Sequence, residues 1–100
     1  MKAQYSANSV FNTSATSAQV LPTRAGSLKR TQFIIINTSA AVATITKGDA
    51  VAVANAGIVL QQNAYYLEGT DGGFVCWQGA IQAVATGAGT LSVVETFQEE

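Results

Sequence analysis

The sequence contains no histidine. Its absence removes the usual general base near neutral pH and the commonest transition-metal ligand, so catalytic triads and zinc sites of the familiar kinds are excluded. Cysteine occurs once, at Cys76 between Val75 and Trp77, so no intramolecular disulfide can form and a buried, inert thiol is expected. Charge is also scarce. Charged residues make up 11% of the chain, against about 25% in a typical soluble domain, with five cations, six anions and a formal net charge of -1. Such a balance gives no general attraction to phosphate backbones. Arg24, Lys29 and Arg30 form the basic grouping, and no aromatic residues interleave with it as a stacking platform requires, so nucleic-acid binding is not expected.

No apolar stretch approaches the roughly 20 residues of a membrane-spanning helix, and the chain reads as soluble, with no membrane partner. Residues 1–10 are polar and lack the apolar centre of a secretory signal. The Asn-Thr-Ser triplets at Asn12 and Asn37 therefore read as turn or loop chemistry rather than glycosylation acceptors. The acids are Asp49, Glu68, Asp71, Glu95, Glu99 and Glu100, three of them in the last six residues. Glu68 and Asp71 flank a glycine turn and read as a solvated loop, not as the facing pair that glycoside hydrolysis needs. Asp71-Gly72-Gly73 offers a calcium ion too few oxygens, and neither glycine cluster sits in a strand-to-helix setting with a following lysine. No cofactor, metal or catalytic residue is implied, and a non-enzyme is expected.

What the chain does have is 48% hydrophobic residues in 100 positions, which is one domain with one modest core. Ser, Thr, Asn, Gln and Ala must supply most of its surface, and part of that neutral surface is expected to be covered by partners.

Residues 4–19 are rich in Ser, Asn, Thr, Ala and Gln, with Val10 and Phe11 the only sizeable apolar pair; they read as an extended arm or a loosely ordered lead-in. The domain division expected is an arm at 1–19 and a sandwich at 20–100. Val20-Leu21-Pro22 suits a short edge strand closed by proline. TQFIIIN at 31–37 is β-branched and aromatic and is the strongest strand, with both faces covered. Asn37-Thr38-Ser39 supplies a turn into the alternating stretch 42–46, and the two segments suggest a hairpin. Residues 50–54 read as irregular or a short strand. Strands at 57–60 and 64–68 are separated by Gln61-Gln62-Asn63, and Gly69-Thr70-Asp71-Gly72-Gly73 breaks the chain. FVCWQGAIQAVA at 74–85 reads as a strand with a bulge at Gly79. After Gly87-Ala88-Gly89, residues 90–97 alternate, with Leu91, Val93 and Glu95 on one face. The expected fold is all-β, a small β-sandwich or jelly-roll-like barrel of about seven short antiparallel strands with an extended N-terminal arm.

In order, an arginine-preceded strand ending in Asn-Thr-Ser (Arg30 to Ser39), a short strand before Lys47-Gly48, a Gly-Ile-x-Leu strand at Gly57 to Leu60, a turn, a "WxGxIxA" strand at Trp77 to Ala83 and a closing strand with Val94-Glu95 form a layout. Over residues 20–97 it resembles small bacteriophage virion proteins of the capsid decoration, or cement, and head-fibre-base type. It departs from them in having Gln61-Gln62-Asn63 where a proline-glycine turn is usual. The resemblance implies a structural protein that binds the assembled lattice of a major capsid protein as a homo-oligomer, a trimer for preference, on the outer surface of a virion assembled in the host cytoplasm. Val10, Phe11, Phe33, Ile34, Ile36 and Trp77 are the candidate buried contacts, with Arg24, Lys29 and Arg30 pairing to acids at a rim. The competing reading is a receptor- or carbohydrate-binding module of a phage fibre that stacks sugars on Tyr65, Tyr66 and Trp77.

Overall fold

In the computed structural model, residues 3–24, 26–70 and 75–99 are described. They form eight strands: β1 (Gln4–Thr13), β2 (Ala18–Leu21), β3 (Leu28–Asn37), β4 (Ala43–Lys47), β5 (Ile58–Leu60), β6 (Tyr65–Gly69), β7 (Ile81–Ala85) and β8 (Gly89–Glu99). The strands make two antiparallel sheets, β1-β8-β3-β6 and β2-β7-β4-β5, here called sheet A and sheet B. First strand pairs with last, second with seventh, third with sixth and fourth with fifth. That is the rolled-up order of a jelly roll.

Alternation explains which side chains meet between the sheets. Phe33 and Ile35 of β3 and Leu91 and Val93 of β8 point inward from sheet A, where they meet Ala43 and Ile45 of β4 and Ile81, Ala83 and Ala85 of β7. Leu21, Leu60 and Cys76 complete this core, and burial raises the Cys76 thiol above its usual pKa. As expected, β2 is an edge strand closed by Pro22, and β3 lies inside its sheet.

Three expectations are corrected. Residues 4–13 are not loosely ordered: they form β1, paired with β8 from Gln4↔Gln98 to Thr13↔Gly89. Ser, Asn and Ala carry little strand preference of their own, and the long alternating strand beside them supplies the template. β3 and β4 are not a hairpin, because they lie in different sheets. Asn37 holds the crossing: its buried Nδ2 donates to the carbonyls of Ala41 (2.7 Å) and Leu60 (2.8 Å), and its Oδ1 accepts from the Ser39 amide at 3.0 Å. The turn at Gln61-Gln62-Asn63 likewise crosses between sheets, with Asn63 at φ 66°. Finally, 75–80 is not strand, and the run begins at Ile81. There the Trp77 ring folds over Gly79, where any Cβ would collide with it. The expected break at Asp71-Gly72-Gly73, together with Phe74 and Glu100, lies outside the described residues.

The outer faces of the two sheets differ. On sheet B the chain between β4 and β5 folds back over β4: the Asn55 amide donates to Thr44 Oγ1 at 3.0 Å, Thr46 Oγ1 to the Ala56 carbonyl at 3.4 Å, and the Ala52 amide to Ser17 Oγ at 2.9 Å. Thr44 and its cross-strand partner Val84 point away from the core and are buried all the same. Sheet A has no such cover among the described residues.

Candidate functional site

The outward positions of sheet A are fixed by the register of its four strands. Val10 faces Ser92, which faces Ile36, which faces Tyr65; one rung along, Asn8 faces Val94, then Ile34, then Leu67. Directly opposed residues of an antiparallel sheet share a face and nearly touch. Two adjacent rungs therefore carry six apolar side chains in a continuous patch on the solvent side. Val10 is 68% exposed, Tyr65 62% and Leu67 49%, while Ile34, Ile36 and Val94 are half-buried by their neighbours.

Polar rungs bracket the patch. Ser6, Thr96, Gln32 and Gly69 follow on one side, then Gln4, Gln98 and Lys29; Asn12 and Thr90 lie on the other. The amides of Gln4, Gln32 and Gln98, with Thr31, Thr70 and Thr96, line a shallow groove of about 340 Å³. From the rung of Asn12 to the rung of Ser6 no described side chain is charged, and Lys29 stands at the far end.

A second apolar surface lies on the other side of the molecule. In the segment over sheet B, Val51 is 75% and Val53 60% exposed beside Ala54 and Ala56. Asn55, at φ 66°, turns this segment back on itself through the Val53–Ala56 bridge.

The sequence candidates divide between these surfaces and the interior. Val10, Ile34 and Ile36 are brought together on the outer face of sheet A. Phe33 points into the core and is fully buried; Phe11 packs against it from the edge. Arg30 is not at a rim. A bulge between Arg30 and Gln32 reverses the alternation of β3 and turns the guanidinium inward, where Nε donates to Glu95 Oε2 at 2.6 Å. Its other nitrogens donate to the carbonyls of Trp77 (2.8 Å), Gly79 (3.0 Å) and Pro22 (2.7 Å). Arg24 pairs with the same carboxylate, at 2.7 Å from Oε1, and its guanidinium lies 4.3 Å from the centre of the Phe97 ring. Burial alone would raise the Glu95 pKa, but the hydrogen bonds from Arg24 and Arg30 outweigh it and hold the carboxyl below its usual range.

Glu95 and Gln78 were not among the sequence candidates. Gln78 accepts from the Arg30 amide at 2.7 Å and donates to the Arg30 carbonyl at 2.6 Å, so it clamps the chain before β7 onto β3. For Glu95 a signal was present, since a carboxylate in phase with Leu91 and Val93 on an alternating strand needs a buried cation.

The aromatic platform does not assemble. Tyr65 points out from sheet A, Tyr66 points in and donates its hydroxyl to Glu68 at 2.7 Å, and Trp77 lies before β7 with its indole N–H on the Ala80 carbonyl at 3.0 Å. Glu68 also accepts from Lys47 and from the Trp77 amide. Desolvation pushes Glu68 up, and these donors together bring it below its usual value. Both inward carboxylates are thus engaged by cations of this chain, Glu95 by two arginines and Glu68 by the exposed Lys47, and among the described residues no cluster of His, Cys, Asp or Glu could hold a metal ion.

Solved structures that align with this chain include two. Both are of the coat protein of Tobacco streak virus. The C2 crystal form aligns with a TM-score of 0.46 and 12% identity, covering 96% of this chain and 86% of that one; the coat protein dimer aligns with 0.46 and 14%, covering 96% and 85%. No protein-family model and no curated protein matches the chain.

Proposed function

We propose that this chain is a non-catalytic structural protein of a bacteriophage virion, which binds the outer surface of the assembled capsid as a homo-oligomer and stabilises it as a decoration or cement protein. One observation carries the reading: two apolar-centred surfaces lie on opposite sides of a small sandwich, an uncharged one on sheet A around Ile34 and Leu67, the other at Val51 and Val53. A lattice component must touch neighbours on more than one side, and each neighbour bound stabilises the folded chain by mass action. The jelly-roll order adds an analogy, since many viral capsid domains share it, although fold alone does not assign function. A trimer is the order that the sequence resemblance implies.

The test is co-sedimentation of the purified chain with expanded capsids and, separately, with isolated coat subunits. Binding to capsids only is the expected result; equal binding to both, or to neither, counts against the proposal. The fibre-module alternative has less support, because Tyr65 and Tyr66 point to opposite sides of one strand. Glycan-array binding that is lost in Trp77→Ala would restore it.

A further inference from the structure

The outer face of sheet A needs an occupant, and we infer that it is the same face of a second copy of this chain, packed about a two-fold axis. Three properties of the face point to a copy of itself. First, from the rung of Asn12 to the rung of Ser6 it bears no charge, so apposing it to itself sets no like charges against one another. Second, the polar groups around its apolar centre are Gln, Asn, Ser and Thr, each of which is both donor and acceptor and can bond to an identical residue across an axis. Third, its size is right. Three strands spaced about 4.8 Å apart, over the nine residues Thr90 to Gln98 at about 3.4 Å each, span about 14 Å by about 30 Å, and the five residues of β6 add a strip of about 5 Å by about 17 Å. Two such faces together bury on the order of 1,000 Å², the least that a specific interface needs.

The layout within the face agrees. Val10, Ile36, Tyr65, Val94, Ile34 and Leu67 form an apolar centre and the amide and hydroxyl rungs a polar margin, which is how specific interfaces are built. Sheet B turns its outer side to its own connecting segment, through Asn55 and Ala56 on Thr44 and Thr46. The pairing gives sheet A the cover that sheet B receives from within its own chain. Face-to-face contact of two sheets is isologous and closes at two copies, in place of the trimer.

The experiment is light scattering on the full chain across a concentration series, with Leu67→Glu, Val10→Lys and Val51→Glu variants. The wild type should show twice the 10.3 kDa chain mass. Leu67→Glu, at the centre of the face, should raise the dissociation constant roughly thirtyfold or more, the loss typical of a central anchor. Val10→Lys, on an exposed edge position that any folded chain tolerates, should weaken it in the same direction. Val51→Glu, on the opposite side, should leave the mass at two copies. A wild type of one or three chain masses, or Val10→Lys pairing unchanged, overturns the inference. It is separable from capsid binding: a paired chain that ignores capsids refutes the virion reading and leaves the pairing, and a single chain that binds them refutes the pairing, and with it the homo-oligomer, and leaves capsid binding.

Discussion

Glu95 on β8 and Arg30 on β3 sit 2.6 Å apart with side chains 3% and 0% exposed, so this ion pair lies inside the sandwich. Two ions taken out of water are costly, and their attraction repays that only when every remaining hydrogen bond is made. Here four of the five guanidinium N–H groups are used, on three carbonyls besides the carboxylate, and Arg24 donates to both carboxylate oxygens. The pair joins β3 and β8 to the chain after β2 and to the chain before β7.

Removing one partner should therefore be severe. Arg30→Met leaves three carbonyls without that donor and the carboxylate with Arg24 alone, and should cost about 3–5 kcal/mol of unfolding free energy. Arg24→Ala, at a partly exposed position, should cost on the order of 1 kcal/mol. Urea denaturation of both variants checks the ordering, and equal midpoints would contradict it.

The same carboxylates set the response to acid. Glu95 and Glu68 lie below their ordinary value of 4.5 in the folded chain, Glu95 because Arg24 and Arg30 overcome its desolvation, Glu68 because Lys47, Tyr66 and the Trp77 amide do. A folded carboxylate that resists protonation binds fewer protons than the unfolded one, so its stabilisation is complete above about 4.5 and is lost as pH falls through the lower folded value. The urea midpoint should be flat from pH 7 to 5 and drop below pH 4.5. In Glu95→Gln the drop should be shallower, from a lower plateau.

Much of this fold is legible in the sequence, and the misses have physical causes. The alternation of β8 and the unbroken 33–36 run of β3 identify two strands that both lie inside sheet A, with Ile34 and Ile36 on its outer face. Arg30 is misplaced because a single bulged residue, invisible in the pattern, inverts every position before it. The supposed hairpin at Asn37 fails because turn chemistry marks where a chain bends, not which sheet it enters; only the buried amide reaching Leu60, 23 residues on, decides that. β1 is hidden because its pairing is with residues more than 75 positions away, and its own composition is that of a loop.

Gly79 gives a test of local packing. The Trp77 ring occupies the space in which a Cβ would lie, so Gly79→Ala should destabilise by about 1–3 kcal/mol, the usual range for forced overpacking. Trp77→Ala clears that space. The double variant should then be less unstable than the sum of the two single effects, by a coupling of about 1 kcal/mol or more, measured as a thermodynamic cycle in urea. Additive effects would mean that the ring is free to move aside.

The edge of sheet A gives the last expectation. β1 bonds to β8 over ten residue pairs, and it brings Phe11 onto the core and buries Thr13. A chain lacking residues 1–13 would expose β8 as a long, uncharged edge from Gly89 to Val94, the kind of unpaired strand that templates pairing with other chains. Truncation should therefore lower the melting temperature and convert a chain of defined mass into polydisperse aggregate, both visible in one heated light-scattering run. Were residues 1–13 only a tether, the truncated chain would melt where the full chain does and stay monodisperse. A β1 peptide added in trans should restore the defined mass, because the ladder it rebuilds needs backbone hydrogen bonds and the Phe11 contact but no covalent link to β2.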